Sequence, residues 1–249
     1  MRKIFCTAAC LAASLSLLSV GAVHGDLVVM TTQVGTNATF LDPGVPPVVS
    51  STDLADAASG ATIAGQFSTG AGLNFLIEGT VGVGNTAASA NLDSDDFFTI
   101  TLDTTVNTLG YDIDEIFSVA GWTTGSGGRS NQGYEVTFNL VGGGTTVIAA
   151  GNYEPNNTPT TYWTTVSLTD DGLGTPVSGS TPGLLATGVE SITFNNFVNA
   201  NESANPSVVV YREFDVLGTA TVAAAIPEPS SLALLGLCGL AVINRRRRG

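Results

Sequence analysis

The sequence predicts an all-β protein, an antiparallel β-sandwich, flanked by two short targeting segments. Three observations lead there. Stretches in which Thr, Val, Ile and Phe alternate with polar residues recur between clusters of Gly, Asn, Asp and Pro. The 3.6-residue apolar period of a helix is absent from the body, which removes any βαβ alternation. No fixed-period internal repeat is evident either, which sets propellers and solenoids aside.

The ends define the boundaries. Arg2 and Lys3 precede an apolar stretch over residues 4–20, and Val23-His24-Gly25 offers a cleavage step before Asp26. Residues 1–25 therefore read as a signal peptide, with a cut at Gly21-Ala22 as the alternative and a retained N-terminal helix as the competing reading. Cys10 does not fit a lipoprotein site, because Thr7-Ala8-Ala9 lacks the apolar residue expected three positions upstream. The sandwich body spans residues 26–219, and residues 220–225 form a linker. Residues 226–249 close the chain with Pro227-Glu228-Pro229, an apolar run over 232–243, and Arg245, Arg246, Arg247 and Arg248. That run is shorter than the roughly 20 residues of a self-sufficient membrane span. It carries no polar stripe, and clustered Arg holds such an end on the cytoplasmic side, so a short C-terminal transmembrane helix is expected.

Removing the ends changes the chemistry that remains. Of 8 basic residues, Arg2, Lys3 and the four terminal arginines leave with the targeting segments; of 21 acidic residues only Glu228 does. The body keeps Arg129 and Arg212 against 20 carboxylates, a formal charge of −18 where the whole chain carries −13. Such a surface repels phosphate backbones and argues against nucleic acid. Cys6, Cys10, Cys238 and His24 all lie in the targeting segments, so the body has no Cys, His or Lys. Ser-His-Asp and Cys-His catalysis, thiolate or imidazole metal sites and Schiff-base chemistry are thereby excluded. Carboxylate chemistry and oxygen-ligated cations such as calcium survive.

Within the body, residues 27–34 form the first expected strand, and a short helix is expected over 53–60. Strand character resumes over 72–83. Residues 97–102 should point Phe98, Ile100 and Leu102 to one face and Phe97, Thr99 and Thr101 to the other. Residues 111–117 follow, with Ile113 inward, then a glycine-rich loop over 121–133. Strands over 134–140, 145–150, 162–168, 189–194 and 208–217 complete the set. In the last, adjacent Arg212 and Glu213 should face opposite sides, with Arg212 in a cross-strand salt bridge.

Two resemblances add to this reading. The order Pro227-Glu228-Pro229, Ser230-Ser231, a Leu/Ala/Gly-rich helix and terminal arginines resembles the PEP-CTERM sorting signal of bacterial exported proteins. It implies an exosortase and the export machinery as partners, transient anchoring in the inner membrane, and sorting to the cell envelope, cell surface or extracellular matrix. The span from Leu92 to Gly218 resembles discoidin-type, galactose-binding-like jelly rolls: it combines the Gly121-Trp122 loop, Arg129 to Gln132, Tyr134 and a closing Tyr211-Arg212-Glu213-Phe214-Asp215-Val216-Leu217-Gly218. That likeness implies carbohydrate at loop tips and a structural calcium, although the terminal cysteine pair of secreted animal members is missing.

Trp122, Arg129, Asn131, Gln132 and Tyr134 are the candidate glycan-binding residues. An aromatic face packs against the C–H side of a sugar, and planar polar groups engage paired hydroxyls. The competing reading is a Trp122 that plugs the sandwich and an Arg129 paired with a carboxylate. Asp93, Asp95 and Asp96 are the candidate calcium ligands, with Asp112, Asp114 and Glu115, and Asp170 and Asp171, as further acidic groups. None follows the EF-hand spacing. Three functions stay open: a non-enzymatic exported module interacting with extracellular polysaccharide, a purely structural surface component, and a carboxylate-dependent glycan hydrolase or lyase.

Overall fold

In the computed structural model of the chain, the described residues form eleven strands, each paired with antiparallel neighbours. They are β1 (Leu27–Gly35), β2 (Thr62–Gln66), β3 (Thr69–Gly70), β4 (Ala88–Asn91), β5 (Phe97–Thr101), β6 (Tyr111–Gly121), β7 (Gly133–Leu140), β8 (Thr145–Asn152), β9 (Trp163–Asp170), β10 (Ala186–Asn195) and β11 (Val208–Ala220). The structure describes residues 27–35, 50–67, 69–70, 72–81, 88–91, 95–121, 130, 132–152, 163–172, 183–197 and 208–223. The expected signal peptide and C-terminal helix lie outside the described residues. Among those described, no helix is long and apolar enough to cross a membrane.

The strands form two layers. The first runs β2-β5-β10-β7-β8 and the second β3-β4-β11-β6-β9-β1. β10 joins them: its beginning pairs with β6 (Ala186↔Ile113, Val189↔Tyr111), and after an irregularity its remainder lies between β5 and β7. Inward residues of the layers meet in a cluster of rings. Phe214 of β11 lies 5.0 Å from Phe98 of β5, 4.8 Å from Phe194 of β10 and 5.5 Å from Tyr134 of β7. Most of these contacts are edge-on or tilted, the favoured aromatic geometries.

The expected alternation appears in β5, where Phe98, Ile100 and the following Leu102 are buried while Phe97 and Thr101 are exposed. A short helix does occur in the 53–60 region, a 3-10 turn at Ala57–Ser59 capped by the Asp56 side chain. The strand expected over 72–83 is corrected: Leu73–Ile77 form a 3-10 helix. Neighbouring Leu76 and Ile77 are both buried, which a strand does not achieve on one face. Glycines bracket this turn, Gly72 at φ +116° and Gly79 at φ +68°, backbone that other residues rarely adopt. The short strands β2, β3 and β4 carry too little apolar alternation to have been anticipated.

Replacing Phe214 with Ala leaves a cavity where both layers meet and should lower stability by about 3–5 kcal/mol, whereas Phe214→Leu should cost clearly less. Urea denaturation of both variants checks this, and equal small losses would mean the rings do not carry the core.

Candidate functional site

The last strand holds an unusual concentration of charge. Residues 209–216 of β11 are all buried, including Arg212, Glu213 and Asp215 at 0%, 0% and 1% exposure. A bulge makes this arrangement: Tyr211 pairs with Ala120 and Glu213 with Val119, so Arg212 is the extra residue. The inward series becomes Val209, Tyr211, Phe214 and Val216, and Glu213 and Asp215 turn to the outer face. The expectation that Arg212 and Glu213 sit on opposite sides of a regular strand is corrected accordingly. The buried Arg212 donates from Nε to the Gly121 carbonyl at 3.0 Å. Burial pulls its pKa down to about 10, so it stays charged at neutral pH.

Where β4 stops pairing with β11, residues 50–55 take over. Leu54 N–H donates to Val216 O at 2.8 Å, and Asp53 Oδ1 accepts from Val216 N at 2.6 Å and Ala55 N at 2.8 Å. Asp215 Oδ2 accepts from Ser50 N at 2.7 Å, and Glu213 Oε1 from Gly79 N at 2.9 Å. Each carboxylate is thus fixed by backbone amides through one oxygen. The others, Asp53 Oδ2, Glu213 Oε2 and Asp215 Oδ1, are buried without a hydrogen-bond partner. Asp53, Glu213 and Asp215 each offer a ligand oxygen, and these lie within 4.8 Å of one another.

Burial is the main force on all three acids, pushing Asp53 up to about 6, Asp215 to about 7 and Glu213 to about 9. Mutual repulsion adds to it, Asp215 acting on Glu213 and Asp53 on both. Three clustered, buried carboxylates, each with an orphaned oxygen, are costly unless compensated. An all-oxygen donor set of this charge fits a hard divalent cation such as calcium. Asp53, Glu213 and Asp215 would hold it, and it would supply the missing positive charge.

Calcium ligands were expected at Asp93, Asp95 and Asp96. Asp95 is exposed and Asp96 buried, so these neighbours do not share an environment, and Asp93 lies outside the described residues. The other acidic groups serve the scaffold. Asp112 Oδ1 accepts the Thr221 hydroxyl at 2.6 Å, Glu115 accepts that of Ser167, and Asp170 Oδ1 closes a turn onto Gly172 N at 2.7 Å. Asp114 is exposed.

The candidate glycan loop is divided between its base and its tip. Trp122, Arg129 and Asn131 lie outside the described residues. Gln132 and Tyr134 are buried at 0% exposure, which corrects their assignment as sugar contacts. Gln132 Oε1 accepts from Ser118 Oγ at 2.7 Å, and its Nε2 donates to Thr164 O at 3.1 Å and Thr164 Oγ1 at 3.0 Å. The Tyr134 hydroxyl meets Ser118 Oγ at 2.8 Å, and Thr164 Oγ1 donates to Ser130 O. These residues anchor the loop in the interior. Amide and phenol groups suited to a sugar are equally suited to an internal network, so residue type alone did not separate the two roles.

In the cation-free protein the three raised pKa values bind protons in the folded state that the unfolded chain, titrating near 3.8 and 4.5, has already released. Their contribution is fully present below about pH 4 and is lost as pH rises through about 6, 7 and 9. With chelator, the melting temperature should therefore fall between pH 5 and pH 9. Millimolar calcium should restore it more at pH 8 than at pH 5, because the cation displaces protons. Glu213→Gln with Asp215→Asn should flatten the profile; calorimetry showing the same slope in that variant refutes the assignment.

Comparison with known proteins adds the following. Residues 225–248 match the PEP-CTERM protein-sorting motif. No curated protein matches the chain. Among solved structures, the family 32 CBM from C. perfringens NanJ in complex with galactose is similar at TM-score 0.42 and 16% identity, covering 66% of this chain and 97% of that one. The CBM32 of AlyQ in complex with 4,5-unsaturated mannuronic acid is similar at TM-score 0.39 and 15% identity, covering 63% and 93%. The lectin binding domain of Lectinolysin, as its His 62 mutant complexed with Lewis b, gives 0.40 and 10%, covering 68% and 96%. Behind a body built as an antiparallel β-sandwich, this chain ends in a PEP-CTERM protein-sorting motif.

Proposed function

We propose that the chain is an exported, surface-sorted binding module without catalytic activity, whose body engages extracellular glycan through the 121–134 loop. The observation that carries this reading is the way the loop is mounted. Its base is held by buried hydrogen bonds among Ser118, Gln132, Thr164 and Ser130. Between the described anchors the sequence places Trp122, Arg129 and Asn131, residue types that offer a stacking face and planar donors to a sugar. The motif at 225–248 supports an extracellular setting with an exosortase as processing partner.

The acidic triad belongs to the scaffold in this reading. Glycoside hydrolysis needs two carboxyl groups facing each other across a substrate cleft. Asp53, Glu213 and Asp215 are instead buried, with backbone amides of residues 50 and 79 bonded to two of them. They would bind structural calcium that ties residues 50–55 to the last strand.

Trp122→Ala should abolish binding to short oligosaccharides on a glycan array while shifting the melting temperature by no more than a few degrees. Gln132→Ala, which orphans buried Ser118 and Thr164 groups, should instead lower stability by about 1–3 kcal/mol. A large stability loss in Trp122→Ala would make that residue part of the core and end the glycan reading. Deleting residues 227–249 should move the protein from the envelope fraction to the medium, and an unchanged distribution would refute the sorting role.

A further inference from the structure

The two outer faces of the sandwich are finished differently. Over the second layer, amides of residues 50 and 79 reach the β11 carboxylates, and Val81 packs with Val119 and Trp163. The outer face of the first layer, β2-β5-β10-β7-β8, presents side chains in register. Thr62, Thr101, Ser191, Asn139 and Thr145 stand side by side across its five strands. One step along, Thr99, Thr193 and Thr137 form the centre of the next row. Antiparallel geometry spaces the strands by about 4.8 Å and same-face residues by about 6.8 Å. The face is largely hydroxyl and amide groups, with Ala64 and the exposed Val147 closing the second row.

These groups are organised by one another. The Thr99 and Thr193 hydroxyls meet at 2.9 Å, and Asn139 Nδ2 donates to Ser191 Oγ at 3.0 Å. A third row begins with Gln66 beside Phe97, whose ring is 42% exposed, and ends with Asn195 beside Glu135. Glu135, and the exposed Glu190 at the irregularity next to Ser191, are the charged side chains at these three rows, in a body whose formal charge is −18.

We propose that this face is a second glycan-binding surface, taking a neutral, hydroxyl-rich polysaccharide laid across the strands. Phe97 stacks on a sugar ring, the exposed Gln66 flanks it with a planar amide, and the threonine grid meets successive hydroxyls. The charge pattern selects the class. The rows contain no cation to pair with uronate or sulfate, and Glu135 and the acidic body repel both. The repetition fits a polymer rather than a single sugar, which would need a concave pocket. The inference rests on the reading of the body as a glycan binder, and it assigns a substrate class to a surface separate from the loop.

The test is a pull-down of the purified chain on insoluble neutral polymers (β-glucan, mannan, galactan) and on alginate. The retention that survives Trp122→Ala belongs to the face. In that background Phe97→Ala should lower it on the order of tenfold, a loss of about 1.4 kcal/mol. Thr193→Glu should remove it, and alginate should retain nothing. Melting curves control for folding, and Gln66→Ala, at an exposed edge position, serves should Phe97→Ala melt early. The proposal is overturned if nothing survives Trp122→Ala, if the face variants bind like the parent, or if alginate binds equally. A mass by light scattering that halves on Thr193→Glu would overturn it too, since a second copy would then cover the face. The loop reading is judged separately, on the array with Trp122→Ala alone.

Discussion

The bulge at Arg212 is the constraint on which the architecture depends. One extra residue between Tyr211 and Glu213 shifts the phase of β11, so that Tyr211 and Phe214 both face inward. Phe214 is then free to contact rings from β5, β7 and β10, the contacts that join the layers. The same shift turns Glu213 and Asp215 outward, where Asp53 comes to meet them. Strict alternation from Tyr211 would have sent Glu213 and Asp215 into the apolar interior instead. Core and acidic triad are two results of one irregularity.

Two buried polar groupings show how differently such residues can be settled. Around Ser118, Gln132, Tyr134 and Thr164 the partners are neutral, and each finds a donor or acceptor within the group. That network is rigidifying, with the buried Ser130 Oγ beside it left without a partner. Around Asp53, Glu213 and Asp215 the backbone satisfies one oxygen of each carboxylate and leaves a second oxygen of each without a partner. Like charges cannot complete one another, so this grouping calls for a cation or for protons.

What the amino-acid order reveals follows the physics of each element. β5 and β7 are buried on one face, so their alternation was plain, as was the inward set Phe98, Ile100 and Leu102. β11 is buried on both faces, and its polar residues gave the misleading impression of a solvated side. The triad was not legible, because Asp53 and Val216 are joined across 163 positions of chain and nothing local to either marks the meeting. The acidic cluster at 93–96 was conspicuous for the opposite reason: adjacency in sequence is easy to see. Gln132 was read as a ligand contact because its amide suits either role, and only burial separates them.

β11 also sets how the body would bear force. It is the final strand, it leads through residues 221–225 to the sorting motif, and it pairs with β6 from Tyr211 to Ala220. Tension on the tail enters the fold along the axis of that strand. Antiparallel hydrogen bonds lie perpendicular to the strands, so such a pull shears the whole ladder at once instead of opening it bond by bond. The Asp53 and Leu54 contacts to Val216 resist the same sliding from the other edge. A body loaded through its C-terminus would thus be loaded in shear along its ladder with β6.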